Sequence, residues 1–149
     1  MAKSQIICVV DDVPAIRETL ENVLSDEGYP VMSCRDSEDF YAKLEKQTPA
    51  LVLLDIWLPG TDGMAILSQF RETHPDIPVI MMSGHAGIDA AVNAIKLGAV
   101  DFMEKPLRLE ILLDKISIVL SNKPPKKIKD PASDTLLEVA KIINPIIPS

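Results

Sequence analysis

Five short, largely apolar segments recur along the first 121 residues of this 149-residue chain, and a helical pattern follows each of them. The first, third and fourth segments lack the apolar–polar alternation of a half-exposed strand, which is typical of parallel strands buried on both faces. The second carries fewer apolar residues, so we expect it at an edge of a sheet. The segments cover residues 5–10, 29–34, 50–55, 78–83 and 99–104.

Each of these segments is followed by a stretch in which apolar residues recur at the spacing of one face of a helix. The second helix is the most polar; we expect it over residues 37–46, with Ser37 as its N-cap. The apolar stripes of the fourth and fifth helices favour a homodimer and are also expected to serve the core. The alternation of strands and helices predicts right-handed βαβ units, and hence an α/β fold with helices on both faces of a parallel sheet. The apolar stripe of the fourth predicted helix consists of Ile88, Ala91, Val92 and Ile95.

The chain is acidic, with a net charge of -7, but the charge is unevenly distributed. Residues 122–149 hold five lysines against three acidic residues, together with five of the twelve prolines. This change in composition predicts a domain over residues 1–121, a linker over 122–132 and a C-terminal helical segment over 133–149. The acidic domain disfavours a nucleic-acid-binding protein held by phosphate contacts.

Cys8 and Cys34 each lie in an apolar stretch, and we expect two buried thiols in a reducing cytosol, with a single disulfide as the alternative. The N-terminal apolar run is too short for a signal peptide, and no run approaches the length of a membrane span. We therefore expect a cytoplasmic protein that has no membrane partner.

Chemically active side chains lie at the ends of four of the five predicted strands. Asp11 and Asp12 follow the first strand, Asp55 ends the third, Ser83 ends the fourth and Lys105 follows the fifth. Ligands of open α/β sheets bind beyond the carboxyl ends of the strands, so we expect these side chains to meet there.

Three carboxylates at one place need a counter-charge. Each pair repels by ~1 kcal/mol in water and by ~4 kcal/mol at an effective dielectric constant near 20. Oxygen ligands on a parallel sheet favour Mg²⁺, and Lys105 is suited to hold a phosphoryl oxygen. The set therefore predicts a phosphoryl-transfer site in which a carboxylate can be the acceptor.

Four motifs that contain these residues resemble the receiver domain of two-component response regulators. The resemblance covers roughly residues 4–121 and implies a doubly wound, flavodoxin-like sheet of five parallel strands in the order 2-1-3-4-5, with five helices. The motifs are VVDD at 9–12, LLDIWLPGTDG at 53–63, MMSGH at 81–85 and DFMEKP at 101–106.

The resemblance also implies a role for each matching residue. Asp55 would be the phosphorylated residue, and Mg²⁺ would be held directly by Asp12 and Asp55, through water by Asp11, and by the backbone carbonyl of Trp57. Ser83 and Lys105 would bind the phosphoryl group, and Pro106 would follow a cis peptide bond. Phe102 occupies the position of a switch aromatic, where it lacks the hydroxyl of a tyrosine. Trp57 and His85 would tune the rate of dephosphorylation.

By the same resemblance, the partner is a sensor histidine kinase, and the chain is a phospho-acceptor rather than an enzyme acting on a separate substrate. The motifs are most similar to those of sigma-54-dependent activators of the NtrC/NtrX type, which regulate nitrogen metabolism. Residues 133–149 resemble the start of the ATPase domain of those activators. We therefore expect a regulator of transcription that contacts DNA only through domains absent from this chain.

Four other classes of protein are alternatives. A nucleotide-binding α/β domain would need a glycine-rich phosphate loop after the first strand, where this chain has DDVPA. A haloacid-dehalogenase-like phosphatase also uses a strand-end aspartate with Mg²⁺, but it needs a second aspartate at the position of Trp57. A stand-alone phosphorelay receiver would fit every motif, and a pseudo-receiver would act only as an interaction module. Individual residues also have structural alternatives: Asp11 and Asp12 as helix caps, and Phe102 as a core residue.

Overall fold

The computed structural model describes residues 5–84 and 87–121. His85, the predicted linker over 122–132 and the predicted helical segment over 133–149 lie outside the described residues. The elements in chain order are β1 (Ile7–Val10), α1 (Pro14–Asp26), β2 (Val31–Cys34), α2 (Ser37–Leu44), β3 (Leu51–Asp55), β4 (Trp57–Leu58), β5 (Thr61–Asp62), α3 (Gly63–Thr73), β6 (Val79–Ser83), α4 (Ile88–Lys96), β7 (Asp101–Glu104) and α5 (Leu109–Ser121).

Five parallel strands form one sheet in the order β2-β1-β3-β6-β7. The predicted order 2-1-3-4-5 is confirmed, because β6 and β7 are the fourth and fifth strands of this sheet. The two-residue strands β4 and β5 pair with each other in a separate antiparallel hairpin, which the sequence pattern did not predict. The polar second strand lies at an edge, as predicted.

The core has two halves, one on each face of the sheet. Alternate residues of β1, β3 and β6 enter opposite halves, and all of them are buried, which explains why these strands are apolar throughout. Helices α2, α3 and α4 cover one face, and α1 and α5 cover the other. Side chains that the helices contribute to the two halves include Phe40, Ile66, Leu67, Phe70, Ala94, Leu20, Leu24, Leu112 and Ile116.

The expectation that the apolar stripe of α4 serves the core is wrong. Ile88 is 79% exposed, Val92 46% and Ile95 48%, and the buried residue of this helix is Ala94. The sheet therefore contacts the small side chains of α4, while its large apolar side chains face outward.

The prediction that Ser37 caps the second helix is also wrong. Asp36 is the N-cap, and its Oδ1 accepts a hydrogen bond from the amide of Asp39 at 2.8 Å. A carboxylate satisfies an unpaired amide at a helix N-terminus as well as a serine does, and it also interacts favourably with the helix dipole. The hydroxyl of Ser37 instead contacts the hydroxyl of Thr61, 3.2 Å away on the β4–β5 hairpin.

Cys8 and Cys34 are fully buried on the neighbouring strands β1 and β2, with free thiols whose sulfur atoms are 3.8 Å apart. Burial raises the pKa of the Cys8 thiol well above its ordinary value. Among the described residues, no helix combines the length and the apolar character that a bilayer span requires.

Candidate functional site

The strand-end residues predicted from the sequence lie together at the carboxyl edge of the sheet. Carboxylate oxygens of Asp11, Asp12 and Asp55 all lie within 4.8 Å of one another. Asp11 is fully buried and Asp55 is 3% exposed, whereas Asp12 faces solvent. Parallel pairing of β1 with β3 produces this arrangement, because both strands end at the same edge.

Lys105 joins the two buried carboxylates. Its Nζ donates hydrogen bonds to Oδ2 of Asp11 at 2.7 Å and to Oδ2 of Asp55 at 3.0 Å. The amide of Lys105 donates to the backbone carbonyl of Ser83 at 2.8 Å, which fixes the lysine beside the end of β6. The next peptide bond, Lys105–Pro106, is cis, as the resemblance implied. The lysine thus supplies the positive charge within a site that has three carboxylates.

Every polar group of Asp11 has a partner. Its Oδ1 accepts from the amide of Val13 at 2.9 Å, and its own amide donates to the carbonyl of Cys34 at 3.1 Å. Its carbonyl accepts from the guanidinium of Arg17 at 2.7 Å. Together with Lys105, these contacts hold the loop between β1 and α1 in one conformation.

The local electrostatics oppose a negative charge on Asp55. Burial raises the pKa of Asp55 above its ordinary value, and the charge of Asp11 adds to the rise, although the hydrogen bond from Lys105 opposes it. Burial lowers the pKa of Lys105, but its hydrogen bonds to Asp11 and Asp55 have the larger combined effect and leave that pKa raised. The site thus favours a charged lysine, whereas burial disfavours the ionised form of Asp55.

This donor set fits Mg²⁺. The ion prefers oxygen ligands, and it is commonly held by one or two carboxylates together with water and phosphate oxygens. The three clustered aspartates offer such oxygens, and the exposed side of Asp12 leaves the site open to solvent. A divalent cation would also favour the ionised form of Asp55, which burial disfavours.

A glycine that follows the hairpin closely contacts Asp55, and the sequence analysis did not single it out. A Cβ atom on Gly63 would lie 2.2 Å from the carbonyl oxygen of Asp55 and 2.7 Å from the Cα of Ile56. The amide of Gly63 donates to the carbonyl of Ile56 at 2.8 Å. The chain can therefore pack against the end of β3 only because residue 63 has no side chain. The sequence feature that could have indicated this contact is the glycine that ends the motif LPGTDG.

The remaining predicted residues lie around this cluster. Trp57 is 62% exposed, and its amide donates to Oδ1 of Asp55 at 3.2 Å. Ser83 is fully buried at the end of β6. Phe102 is partly buried on β7 and packs against the core beside Met81. His85 lies outside the described residues.

The sequence matches a known family and several characterised proteins. Residues 7–117 match the family described as the response regulator receiver domain. The nitrogen assimilation regulatory protein NtrX of Azorhizobium caulinodans is 43% identical over 109 residues, which are 72% of this chain and 24% of that protein. The DNA-binding transcriptional regulator NtrC of Salmonella typhimurium is 40% identical over 105 residues, which are 70% of this chain and 22% of that protein.

The fold is similar to that of a solved relative. The crystal structure of the receiver domain of NtrX from Brucella abortus matches with a TM-score of 0.74 and 42% identity, covering 78% of this chain and 98% of that chain. This chain spans about a quarter of the length of the curated relatives it matches.

Proposed function

Because this chain belongs to the response regulator receiver domain family, we propose that Asp55 accepts a phosphoryl group from the phosphohistidine of a sensor histidine kinase. The observation that carries the proposal is the cluster of Asp11, Asp12 and Asp55 within 4.8 Å, with Lys105 bonded to two of the three. This set of groups suits the positioning and charge neutralisation that phosphoryl transfer requires.

Asp55 is the acceptor in this proposal because hydrogen bonds hold both of its carboxylate oxygens at the carboxyl edge of the sheet. Its Oδ1 receives the amide of Trp57 and its Oδ2 receives Lys105, so the carboxylate is held in a fixed orientation. An oxygen of Asp55 bonds to phosphorus while the phosphorus–nitrogen bond of the phosphohistidine breaks, and the released imidazole takes up a proton. The product is an aspartyl phosphate.

We propose that Mg²⁺ is held by Asp12 and Asp55, through water by Asp11, and by the backbone carbonyl of Trp57. When bound, the ion would neutralise negative charge on the donor and acceptor oxygens. Asp11, which is fully buried and bonded to Lys105, would orient the coordinated water rather than approach the ion itself.

Ser83 and Lys105 would then bind the new phosphoryl oxygens. Lys105 is already bonded to Asp55, and its amide is tied to the carbonyl of Ser83, so a movement of one is transmitted to the other. The loop after β6 would move toward the phosphoryl group, and Phe102 would rotate into the space that this loop vacates. Such a shift would change the surface formed by α4, β7 and α5, and with it the dimerisation or partner docking that this surface supports.

Trp57 and His85 are the proposed determinants of the lifetime of the aspartyl phosphate. The exposure of Trp57 directly beyond Asp55 supports a role in admitting water to the phosphoryl group. Substitution of both residues should change the rate of dephosphorylation, and an unchanged lifetime would refute this part of the proposal.

For the whole protein we propose a cytoplasmic regulator of transcription that works as a homodimer and contacts DNA through other domains. The matched relatives named as a nitrogen assimilation regulator and a DNA-binding transcriptional regulator support this assignment. The exposed apolar residues Ile88, Val92 and Ile95 on α4 support a dimer, since large apolar side chains rarely lie together on a surface without a partner.

A direct test uses a phosphorylated histidine kinase or acetyl phosphate as donor, with Mg²⁺ present. Wild-type protein should acquire one acid-stable, hydroxylamine-labile phosphoryl group, and Asp55→Asn should acquire none. Asp26→Asn is the matched control, because Asp26 is exposed at the far end of α1. Labelling of Asp55→Asn at the wild-type level would refute the proposal, and continuous phosphate release without a lasting adduct would favour a phosphatase.

A further inference from the structure

We infer that Arg17 is a positioning residue that sets the affinity of the acidic cluster for Mg²⁺. Its guanidinium donates to the backbone carbonyl of Asp11 at 2.7 Å, from the first turns of α1. The inference deepens the proposed function and rests on its Mg²⁺ site, but it concerns a residue that the motifs of that site do not include.

The hydrogen bond acts on the peptide unit that joins two of the ligand residues. The carbonyl of Asp11 and the amide of Asp12 belong to one planar group, so a bond to the oxygen also fixes the direction in which the chain enters Asp12. A bond from a charged donor is stronger than one between neutral groups. Arg17 therefore restrains Asp12 through the backbone without touching its carboxylate.

Asp12 depends on this restraint because its own side chain has no other. Within residues 5–84 and 87–121, neither a hydrogen bond nor an ion pair holds its exposed carboxylate. Asp11 and Asp55, in contrast, are fixed directly by Lys105. The least restrained ligand of the cluster is thus the one whose backbone Arg17 holds, and groups that orient ligands from outside typically affect metal affinity by about 10–100-fold.

Simple electrostatics predicts the opposite effect. Arg17 carries a positive charge near a proposed cation site, so removing that charge alone should make Mg²⁺ bind more tightly. The sign of the change therefore separates orientation of Asp12 from long-range charge. Replacement by lysine keeps the charge and an N–H donor, whereas replacement by alanine removes both.

The experiment measures Mg²⁺ affinity by titrating the fluorescence of Trp57, the only tryptophan, which is exposed beside the cluster. Arg17→Ala should bind Mg²⁺ about tenfold more weakly than wild type, which corresponds to about 1.4 kcal/mol. Arg17→Lys should bind more tightly than Arg17→Ala. Lys46→Ala removes one positive charge beyond the end of α2, at the opposite edge of the sheet, and should bind as wild type does.

Labelling by acetyl phosphate provides a second measurement that a general loss of stability would not reproduce. The initial rate for Arg17→Ala should fall at low Mg²⁺ and return close to the wild-type rate at saturating Mg²⁺, with urea unfolding curves confirming a folded protein. Unchanged or tighter Mg²⁺ binding by Arg17→Ala would overturn the inference, as would a lysine variant that binds as weakly as the alanine variant. Because Mg²⁺ affinity is measured without phosphorylation, failure of labelling in wild type would count against Asp55 as acceptor and not against Arg17.

Discussion

Replacing Asp55 by asparagine should stabilise the protein without Mg²⁺ and destabilise it, relative to wild type, when Mg²⁺ is saturating. The side chain is almost fully buried, and its neighbours are two carboxylates and one lysine. Asparagine has the same shape and can offer its one oxygen to Lys105, but its amide group then faces the backbone amide of Trp57, which donates to the other oxygen of Asp55 at 3.2 Å. The substitution therefore removes the negative charge together with that one long hydrogen bond.

The magnitude follows from the distances in the site. At an effective dielectric constant of 20, the attraction between Lys105 and Asp55 at 3.0 Å is about 5.5 kcal/mol. Repulsion between Asp11 and Asp55, whose oxygens are at most 4.8 Å apart, is at least about 3.5 kcal/mol, and the exposed Asp12 adds a screened contribution. The charge interactions nearly cancel, so the desolvation cost of the buried carboxylate remains. We expect Asp55→Asn to raise the free energy of unfolding by about 1–2 kcal/mol without metal.

Mg²⁺ should reverse this order. A ligand that binds only the folded state at 100 times its Kd stabilises it by about 2.7 kcal/mol. Asp55→Asn lacks one proposed ligand and should gain much less. Urea unfolding monitored by circular dichroism, once with a chelator and once with saturating Mg²⁺, measures both differences. Asp26→Asn should shift the free energy by less than about 0.5 kcal/mol in either condition.

The pH dependence gives an independent check on the same reasoning. Burial raises the pKa of Asp55 in the folded protein. A carboxyl whose folded pKa lies above its unfolded value contributes stability below the unfolded pKa and loses it as the pH rises through the folded pKa. The metal-free advantage of Asp55→Asn should therefore be largest at neutral pH and vanish in acid. A metal-free Asp55→Asn variant less stable than wild type at neutral pH would refute the reasoning, as would an advantage that persists in acid.

Three further predictions concern the surroundings of the site. Gly63→Ala should lower the free energy of unfolding, measured in urea, by about 3 kcal/mol, since its Cβ would overlap the backbone of β3. Gly87→Ala is the control and should cost less than about 1 kcal/mol, because a Cβ there has no atom within 4 Å. Equal costs for the two variants would contradict the close approach of Gly63 to β3. Lys105→Gln should cost about 3 kcal/mol at neutral pH. Burial lowers the pKa of Lys105, but the hydrogen bonds to its carboxylate partners leave that pKa raised. The cost of Lys105→Gln should therefore shrink as the pH rises through the raised pKa. A difference in the free energy of unfolding that stays constant up to alkaline pH would argue against the ion pairs. Cys8 and Cys34 should resist a thiol reagent in the native protein and react fully in denaturant, and rapid native labelling would show that β1 and β2 open readily.

The strands were predictable because burial on both faces leaves a direct mark on the sequence, whereas their order was implied only by the resemblance to receiver domains. Residues of β1 and β3 enter both halves of the core, so neither strand tolerates a polar residue until the sheet ends at Asp11 and Asp55. The same logic located Ser83 and Lys105, since polar residues appear where the strands stop.

The outward face of α4 was not predictable from periodicity. An apolar stripe indicates that one face of a helix packs against another surface, but it does not show whether that surface is the sheet of the same domain or a different partner. The sheet contacts Ala94, and the larger Ile88 and Val92 lie outside.

Contacts between distant segments were also beyond the sequence pattern. The hairpin of β4 and β5 has strands of two residues, which are too short to show alternation. The close approach of Gly63 to Asp55 and the bond from Arg17 to the carbonyl of Asp11 depend on how the chain returns in space. Backbone partners of this kind leave no period in the sequence.

Chemical trapping of the modified side chain tests the central claim most directly. After phosphorylation with Mg²⁺ and a phosphohistidine donor, borohydride reduces an aspartyl phosphate to homoserine, and peptide mass spectrometry locates the converted residue. The account predicts homoserine at position 55 alone, dependent on Mg²⁺. Conversion at another aspartate, or phosphorylation that leaves Asp55 unmodified, would contradict it.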